Sequence, residues 1–405
     1  MFVDRAERPA PPFRTLPLAR ALADIGARLA LAVRGERESP AWKYIVATGL
    51  FLTSRLVVFL GIGFGALLRP LTMNTPWHTD DPRLAPLMHW DANWYLAVLH
   101  DGYKLADTPG AASDIAFFPL YPLIAWVAKT LGGLSEPAAL ICVANAMALL
   151  SALLIVKLGL RWFSEPIALY AAAIFCFFPE SFFLSSAYNE STCLTFFLLS
   201  LLALGEGRYG WAALAAGAAS GVRVSGLAMA PVVALAVELS QGRSLPRRTV
   251  LAAGAGIIGC GGLVVYMAYQ AYAFGDPLAF VAAQKGWKHE NFLVQALNGL
   301  ELKPIFEGRL DEAAWFVVPI ALLVFNYRFL PRDLFVCGLA SLGIPYLAYG
   351  VSSSSPRYAI LCVPLYFCLA RAFRASPLLS AVVFGLSTTL LCLHTAMFTQ
   401  WYWVG

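Results

Sequence analysis

The chain has 405 residues, 59% of them hydrophobic and 13% charged, with a mean hydropathy of +0.68, whereas soluble proteins carry about 25% charged residues. That composition excludes a soluble globular enzyme and leaves room for roughly ten membrane spans of about 20 residues each. The net charge of +5 is spread over short loops between apolar runs, where it sets membrane orientation and gives no footprint for nucleic acid.

Residues 1–43 hold eight basic and five acidic residues, with Pro9, Pro11, Pro12, Pro17 and Pro40. They lack the short apolar core and small-residue cleavage site of a signal peptide. We expect a cytoplasmic tail here, with the stretch from Leu18 to Val33 suited to an amphipathic helix on the membrane face. Apolar runs then fall at about 44–68, 116–133, 137–160, 166–184, 190–205, 211–239, 249–274, 313–330, 333–350, 356–371 and 377–400. They predict an all-α polytopic bundle of about eleven helices, one domain over 44–405, with outer loops at 69–115 and 276–312.

The basic residues after 240 fix the orientation of the second half. The first half allows two topologies, because Pro119 and Pro122 interrupt one run and Gly221, Arg223 and Gly226 another. In one, every run crosses. In the other, 116–133 does not cross and 211–239 is a hairpin, which moves Lys157 and Arg161 inside and Pro179 to Glu190 outside. No internal repeat is evident, which weighs against the inverted-repeat carriers. All eight cysteines lie in apolar segments without CxxC spacing, and His78, His89, His100, His289 and His394 lack ligand spacing, so no metal site is assigned.

The most informative stretch is the run WDANWYLAVLHDGY at 90–103. It predicts a short helix in the first outer loop, bounded by Asp91 and Gly102, with Trp94, Tyr95 and Val98 on the face nearest Asp91 and its aromatics at the headgroup layer. Two roles for Asp91 are open on spacing alone. It caps the helix, or it is an outward carboxylate that takes a proton from an acceptor hydroxyl.

That run, followed by AFFPLYPLI at 116–124, resembles the PIG-V family, the second mannosyltransferases of GPI-anchor assembly, and their bacterial relatives. The likeness continues through FFPESFFLSSAYNES at 177–191, GVRVSGL at 221–227, FGDPLAFVAAQKGW at 274–287, PRYAILCVPLY at 356–366 and the terminal WYWVG. The resemblance implies a GT-C helix bundle that uses a sugar linked to a polyprenyl phosphate, with the catalytic base at Asp91. Asn93, Trp94 and Tyr95 stand where eukaryotic members usually have His-Phe, so acceptor identity does not carry over. With the base at Asp91, Trp90, Asn93, Trp94, Tyr95, Tyr121, Glu190 and Trp287 become candidate substrate contacts.

Such chemistry needs a positioned base and a cation for the phosphate, and no further cofactor, since polyprenyl phosphate is already a stable leaving group. No GxGxxG or Walker loop is present. Direct attack by the acceptor would invert the anomeric carbon. Arg357 is the first candidate for the donor phosphate, because guanidinium grips phosphate in a two-pronged way; the alternative is an anchor that snorkels to headgroups. Lys285 and His289 of the second outer loop are further candidates.

Arg55 and Arg223 lie deeper, where charge demands a partner. Each is open to a structural clamp or a donor contact, with Glu180 and Glu190 as possible counter-charges. Phe117, Phe118 and Pro119 shape an irregular start to the second run, and His394 and Gln400 read as packed polar residues. The leading expectation is a mannosyltransferase at the outer face of a bacterial inner membrane, or the lumenal face of the endoplasmic reticulum, acting on a lipid, glycan or protein acceptor. A transporter or flippase of lipid-linked sugar is the rival, and a catalytically dead scaffold a third reading.

Overall fold

A computed structural model describes residues 41–68, 81–106, 108, 111–240, 244–284, 286, 310–350 and 352–404. The chain divides into units Met1–Val46 and Ala47–Gly405, and the larger holds the candidate site and every described helix except the start of the first. Among the described residues all regular structure is helical. The helices are α1 (Trp42–Gly65), α2 (Asp91–Asp101), α3 (Leu120–Gly132), α4 (Glu136–Trp162), α5 (Glu165–Cys176), α6 (Glu190–Gly205), α7 (Tyr209–Ser220) and α8 (Met229–Glu238). They continue with α9 (Leu245–Gly259), α10 (Gly261–Phe274), α11 (Ala279–Gln284), α12 (Leu310–Phe325), α13 (Arg332–Tyr349), α14 (Ser355–Ala359), α15 (Val363–Ala375) and α16 (Pro377–Phe398).

The chain is an integral membrane protein. Helices α1, α4 and α16 are long and apolar enough to cross, and α9 with α10 makes a fourth candidate bent by 54°. On α16 the exposed side chains Leu378, Val382, Leu386 and Leu390 recur every fourth residue, a stripe that only lipid would solvate without cost.

Eleven apolar runs therefore do not give eleven unbroken spans, and the breaks have local causes. The run at 116–133 yields only the 13 residues of α3, about 20 Å of helix against a hydrocarbon core of about 30 Å. The run at 211–239 splits into α7, a single turn at Val224–Ala228, and α8. The run at 356–371 splits into α14 and α15. The run at 249–274 bends between Gly259 and Gly261, where Gly262 lies against the backbone of Gly217 and Gly221 so closely that a Cβ would overlap it. The amides freed at this bend are satisfied, since Gly262 N and Leu263 N donate to Ser220 Oγ at 3.1 and 3.3 Å.

Helix α4 is the hub on which α3, α5 and α6 pack. Leu140, Ala144, Ala148 and Ala152 form a fully buried stripe along it, and small side chains there let neighbouring backbones come close. Arg55 of α1 ties the segment after α5 to the first span. It donates to Ser185 Oγ at 2.6 Å, to the Ser181 carbonyl at 3.0 Å and to the Cys176 carbonyl at 3.3 Å. Of the two roles open to Arg55, this is the carbonyl clamp.

The first-half topology follows from where loops meet. Glu190, at the start of α6, lies beside Arg357 and through it Asp91, so Pro179 to Glu190 shares a membrane face with residues 81–106. Arg223, in the break between α7 and α8, pairs with Glu190 on that face. This proximity favours the arrangement in which 116–133 does not cross and 211–239 is a hairpin, although α5, α7 and α8, at 12, 12 and 10 residues, are no longer than α3. Reporter fusions test it: a fusion after Leu184 is expected to share the sidedness of one after Ala106 and to oppose one after Phe163. Opposite sidedness at Ala106 and Leu184 would restore the topology in which every run crosses.

Candidate active site

Asp91 is the first residue of α2, and its backbone is held in an unusual way. Trp90, just before it, has φ 57° and ψ −120°, a left-handed conformation that costs a non-glycine residue on the order of 1–3 kcal/mol. Tyr188 braces both sides of that kink. Its hydroxyl accepts from Asp91 N at 3.2 Å and donates to the His89 carbonyl at 3.2 Å. His89 Nδ1 in turn donates to the Phe398 carbonyl at 3.0 Å, and its ring stacks on Trp401 at 3.9 Å. Burial pushes the His89 imidazole below its ordinary pKa, against the opposing pull of the Phe398 carbonyl.

The far end of α2 is fixed as well. Gly102 closes the helix at φ 76°, as glycine's freedom in that region allows. His100 Nδ1 lies 3.0 Å from Glu136 of α4, which also receives Lys129 of α3 at 2.7 Å. The helix does not lie free on a membrane surface. Ala92, Asn93, Tyr95, Leu96 and Ala97 are buried, and α2 rests on α3 and α4.

The Asp91 carboxylate pairs with a residue 266 positions along the chain. Its Oδ2 lies 2.6 Å from Arg357 Nη1. Arg357 Nε stands 3.4 Å from Glu190 Oε1, and Glu190 Oε1 receives Arg223 Nη1 at 2.6 Å. Arg223 Nη1 also donates to Asn189 Oδ1 at 3.2 Å, and Asn189 Nδ2 is anchored on the Val222 carbonyl at 2.9 Å. Four charges, two of each sign, thus meet at one place drawn from α2, the α6 start, the α7–α8 break and α14. Charge-assisted bonds of this kind are the strong ones.

Aromatic rings surround the Arg357 guanidinium, with Phe183, Tyr188, Tyr358 and Trp403 centred 5.4–5.9 Å from it. Its side chain is 9% exposed, so the headgroup-snorkelling role considered for it is corrected by burial. Asp91 remains 24% exposed, so an incoming group can reach it.

The sequence candidates separate into three groups. Asp91, Arg357, Arg223 and Glu190 converge, with Trp90 beside them packed edge-on to Trp401 and Trp403. Tyr121 and Tyr95, expected to touch substrate, are packed into the bundle. Tyr121 is fully buried with its hydroxyl on the Leu140 carbonyl at 2.9 Å, and Tyr95 is wedged edge-on against Phe117 and Tyr121. Asn93 is buried on the inner face of α2, and Trp94 stacks on Phe117 at 5.9 Å. Trp287, Lys285 and His289 lie outside the described residues.

Sequence reasoning gave no role to Tyr188, Asn189, Trp401 and Trp403. The signals were present: Asn189-Glu190 is a polar pair inside an apolar stretch, and two tryptophans close the chain. Among the described residues, no group of three His, Cys, Asp or Glu side chains is arranged to hold a metal ion. His394 pairs with buried Glu180 at 3.1 Å, which leaves Glu190 as the counter-charge of Arg223.

Comparison with known proteins adds to this geometry. A family model described as mannosyltransferase (PIG-V) matches residues 68–272, half of the chain. The human GPI alpha-1,6-mannosyltransferase 2 is 34% identical over 173 residues, covering 36% of this chain and 33% of that protein. The GPI mannosyltransferase 2 of Drosophila pseudoobscura pseudoobscura is 35% identical over 131 residues, covering 30% and 27%. These matches thus span a third or less of the relatives' own length. Among solved structures, ArnT from Cupriavidus metallidurans bound to undecaprenyl phosphate aligns with a TM-score of 0.49 at 13% identity, over 87% of this chain and 75% of that one.

The electrostatics of the cluster are testable. Glu190 is 1% exposed and sits between two guanidinium groups, and removing one member of a buried pair typically costs about 3–5 kcal/mol. Glu190→Gln should therefore lower the thermal midpoint of the detergent-solubilised protein by several degrees. Glu190→Gln with Arg223→Gln should lose clearly less than the two single losses added together, whereas strict additivity would show that the pair is not coupled.

Proposed function

The chain belongs to the mannosyltransferase (PIG-V) family, and from that membership we propose that it transfers a hexose, mannose, from a polyprenyl phosphate to an acceptor hydroxyl. The acceptor oxygen attacks the anomeric carbon, the bond from that carbon to the phosphate oxygen breaks, and its electron pair leaves with the polyprenyl phosphate. The hydroxyl proton passes to Asp91 as general base. One displacement of this kind inverts the anomeric carbon. Arg357 receives the phosphate charge, with Arg223 behind it, and Lys285 and His289 are further candidates for that role. No cofactor enters the scheme, because the leaving group is already activated.

The observation that carries this reading is the contact of Asp91 Oδ2 with Arg357 Nη1 at 2.6 Å. It brings a reachable carboxylate and a guanidinium, the two groups that the reaction needs, to one point. The acceptor is a lipid, glycan or protein hydroxyl. Trp90 and Trp94 supply aromatic surface near the base, and Trp287 is a further candidate contact. We assign the site to the periplasmic face of a bacterial inner membrane, since high alanine content and short loops suit a bacterial chain; in a eukaryote the corresponding face is the lumenal side of the endoplasmic reticulum.

The test is transfer from polyprenyl-phosphate mannose to membrane lipid extract by purified protein in liposomes, wild type against Asp91→Asn. Loss of a positioned base is expected to slow transfer by about 10²–10⁴-fold in a variant that still folds. Near-normal transfer by folded Asp91→Asn would remove Asp91 from the role of base. No transfer by either protein, with lipid-linked sugar crossing the bilayer, would replace the transferase with a flippase.

A further inference from the structure

Two roles in the proposed reaction fall on groups that are bonded to each other. Asp91 must be open to an acceptor hydroxyl, and Arg357 must be open to a phosphate, yet Asp91 Oδ2 and Arg357 Nη1 are 2.6 Å apart. While that contact lasts, the carboxylate charge that would draw the proton is neutralised by the cation meant for the donor. Resting on the reaction proposed above, we infer that Arg357 is exchanged between Asp91 and the donor phosphate, so that donor binding is the event that frees the base.

The bonding around the two arginines shows which one moves. Arg223 is committed, with hydrogen bonds to Glu190 and Asn189 at 2.6 and 3.2 Å, and Asn189 is itself anchored on the Val222 carbonyl. Arg357 is held by one short bond to Asp91. Its Nε is buried with no hydrogen-bond partner, standing 3.4 Å from Glu190. The other neighbours of its guanidinium are ring faces, which attract a cation without fixing its direction. Arg357 also sits on α14, a five-residue helix flanked by breaks.

Asp91, by contrast, stays where it is. Tyr188 braces its backbone on both sides of the Trp90 kink, and α2 is fixed at its far end through Glu136. An arriving phosphodiester therefore meets a guanidinium that has donor capacity to spare and can turn about a fixed carboxylate.

Charge balance leads to the same exchange. Asp91 and Glu190 against Arg223 and Arg357 sum to zero in the donor-free cluster. A phosphodiester adds one negative charge in a region of low dielectric, where it needs a cation in direct contact. If Arg357 turns to it, Asp91 is left as an unpaired carboxylate beside the acceptor, and only then. The exchange gives an ordered reaction: donor first, acceptor second, and little attack by the acceptor hydroxyl until both are in place.

The consequence is opposite in sign to the one expected of independent residues. If Asp91 competes with the donor for Arg357, then Asp91→Asn, which is expected to slow transfer, should bind polyprenyl phosphate more tightly than wild type, by roughly tenfold for the loss of one charged competitor. In an Arg357→Ala background the same Asp91→Asn change should have no effect on affinity. The probe is polyprenyl phosphate titrated into purified protein in detergent, with binding followed by microscale thermophoresis and folding checked by thermal melting. Asp91→Ser serves the same comparison if Asp91→Asn does not fold.

Unchanged or weaker binding by Asp91→Asn would overturn the exchange. Equal tightening with and without Arg357 would overturn it too, since that would be through-space repulsion. Wild-type protein that neither binds polyprenyl phosphate nor transfers sugar would refute the transferase reading itself. Binding and transfer without the tightening would refute the exchange alone.

Discussion

The ion pair between Asp91 and Arg357 is the constraint around which the rest of the described chain is arranged. It closes a sequence separation of 266 residues and sets a partly exposed carboxylate beside a buried guanidinium. A buried cation of that kind requires counter-charge and ring faces, and the fold supplies Glu190 on one side and Phe183, Tyr188, Tyr358 and Trp403 around it. Each of these comes from a place where a helix starts or the chain breaks its helical course. The breaks are thus the means by which polar and aromatic groups are presented together at one face of an apolar bundle.

Rigidity is distributed unevenly in this arrangement. Helix α2 is tied at both ends, Arg223 is locked by Glu190 and Asn189, and Arg55 clamps the segment from Cys176 to Ser185 onto the first span. Against that fixed frame Arg357 has one short bond, a longer approach of 3.4 Å to Glu190, and ring contacts. A transferase needs a preorganised site, but it also needs a reason not to act before both substrates are present. A fixed base masked by a movable cation meets both needs with the same two side chains.

Much of this was legible in the residues. The short helix from Asp91 to Gly102 was readable because a capping-type residue and a glycine bracket a run with a polar and aromatic face. The break at 221–228 was readable from Gly221, Arg223 and Gly226 inside an apolar stretch. The bend at Gly259–Gly262 was not read, although three glycines in four residues mark it, because the run at 249–274 is apolar throughout and its pattern alone suits a straight span. The packing of Tyr121 and Tyr95 is not legible locally, because a tyrosine beside a candidate base can face the substrate or the core, and only tertiary packing decides. The pairing of Asp91 with Arg357, and the bracing by Tyr188, Trp401 and Trp403, depend on contacts between distant segments that no local period encodes.

Stereochemistry probes the site as a whole. Glu190 is held by Arg223 at 2.6 Å and is 1% exposed, so in the proposed reaction Asp91 is the carboxylate that an acceptor can reach, and a single displacement is the expected route. The measurement is the anomeric configuration of the product, by proton NMR, when the donor is a β-linked polyprenyl-phosphate mannose. Direct displacement with Asp91 as base predicts an α-linked product. A β-linked product, or mannose recovered covalently bound to the protein, would contradict it.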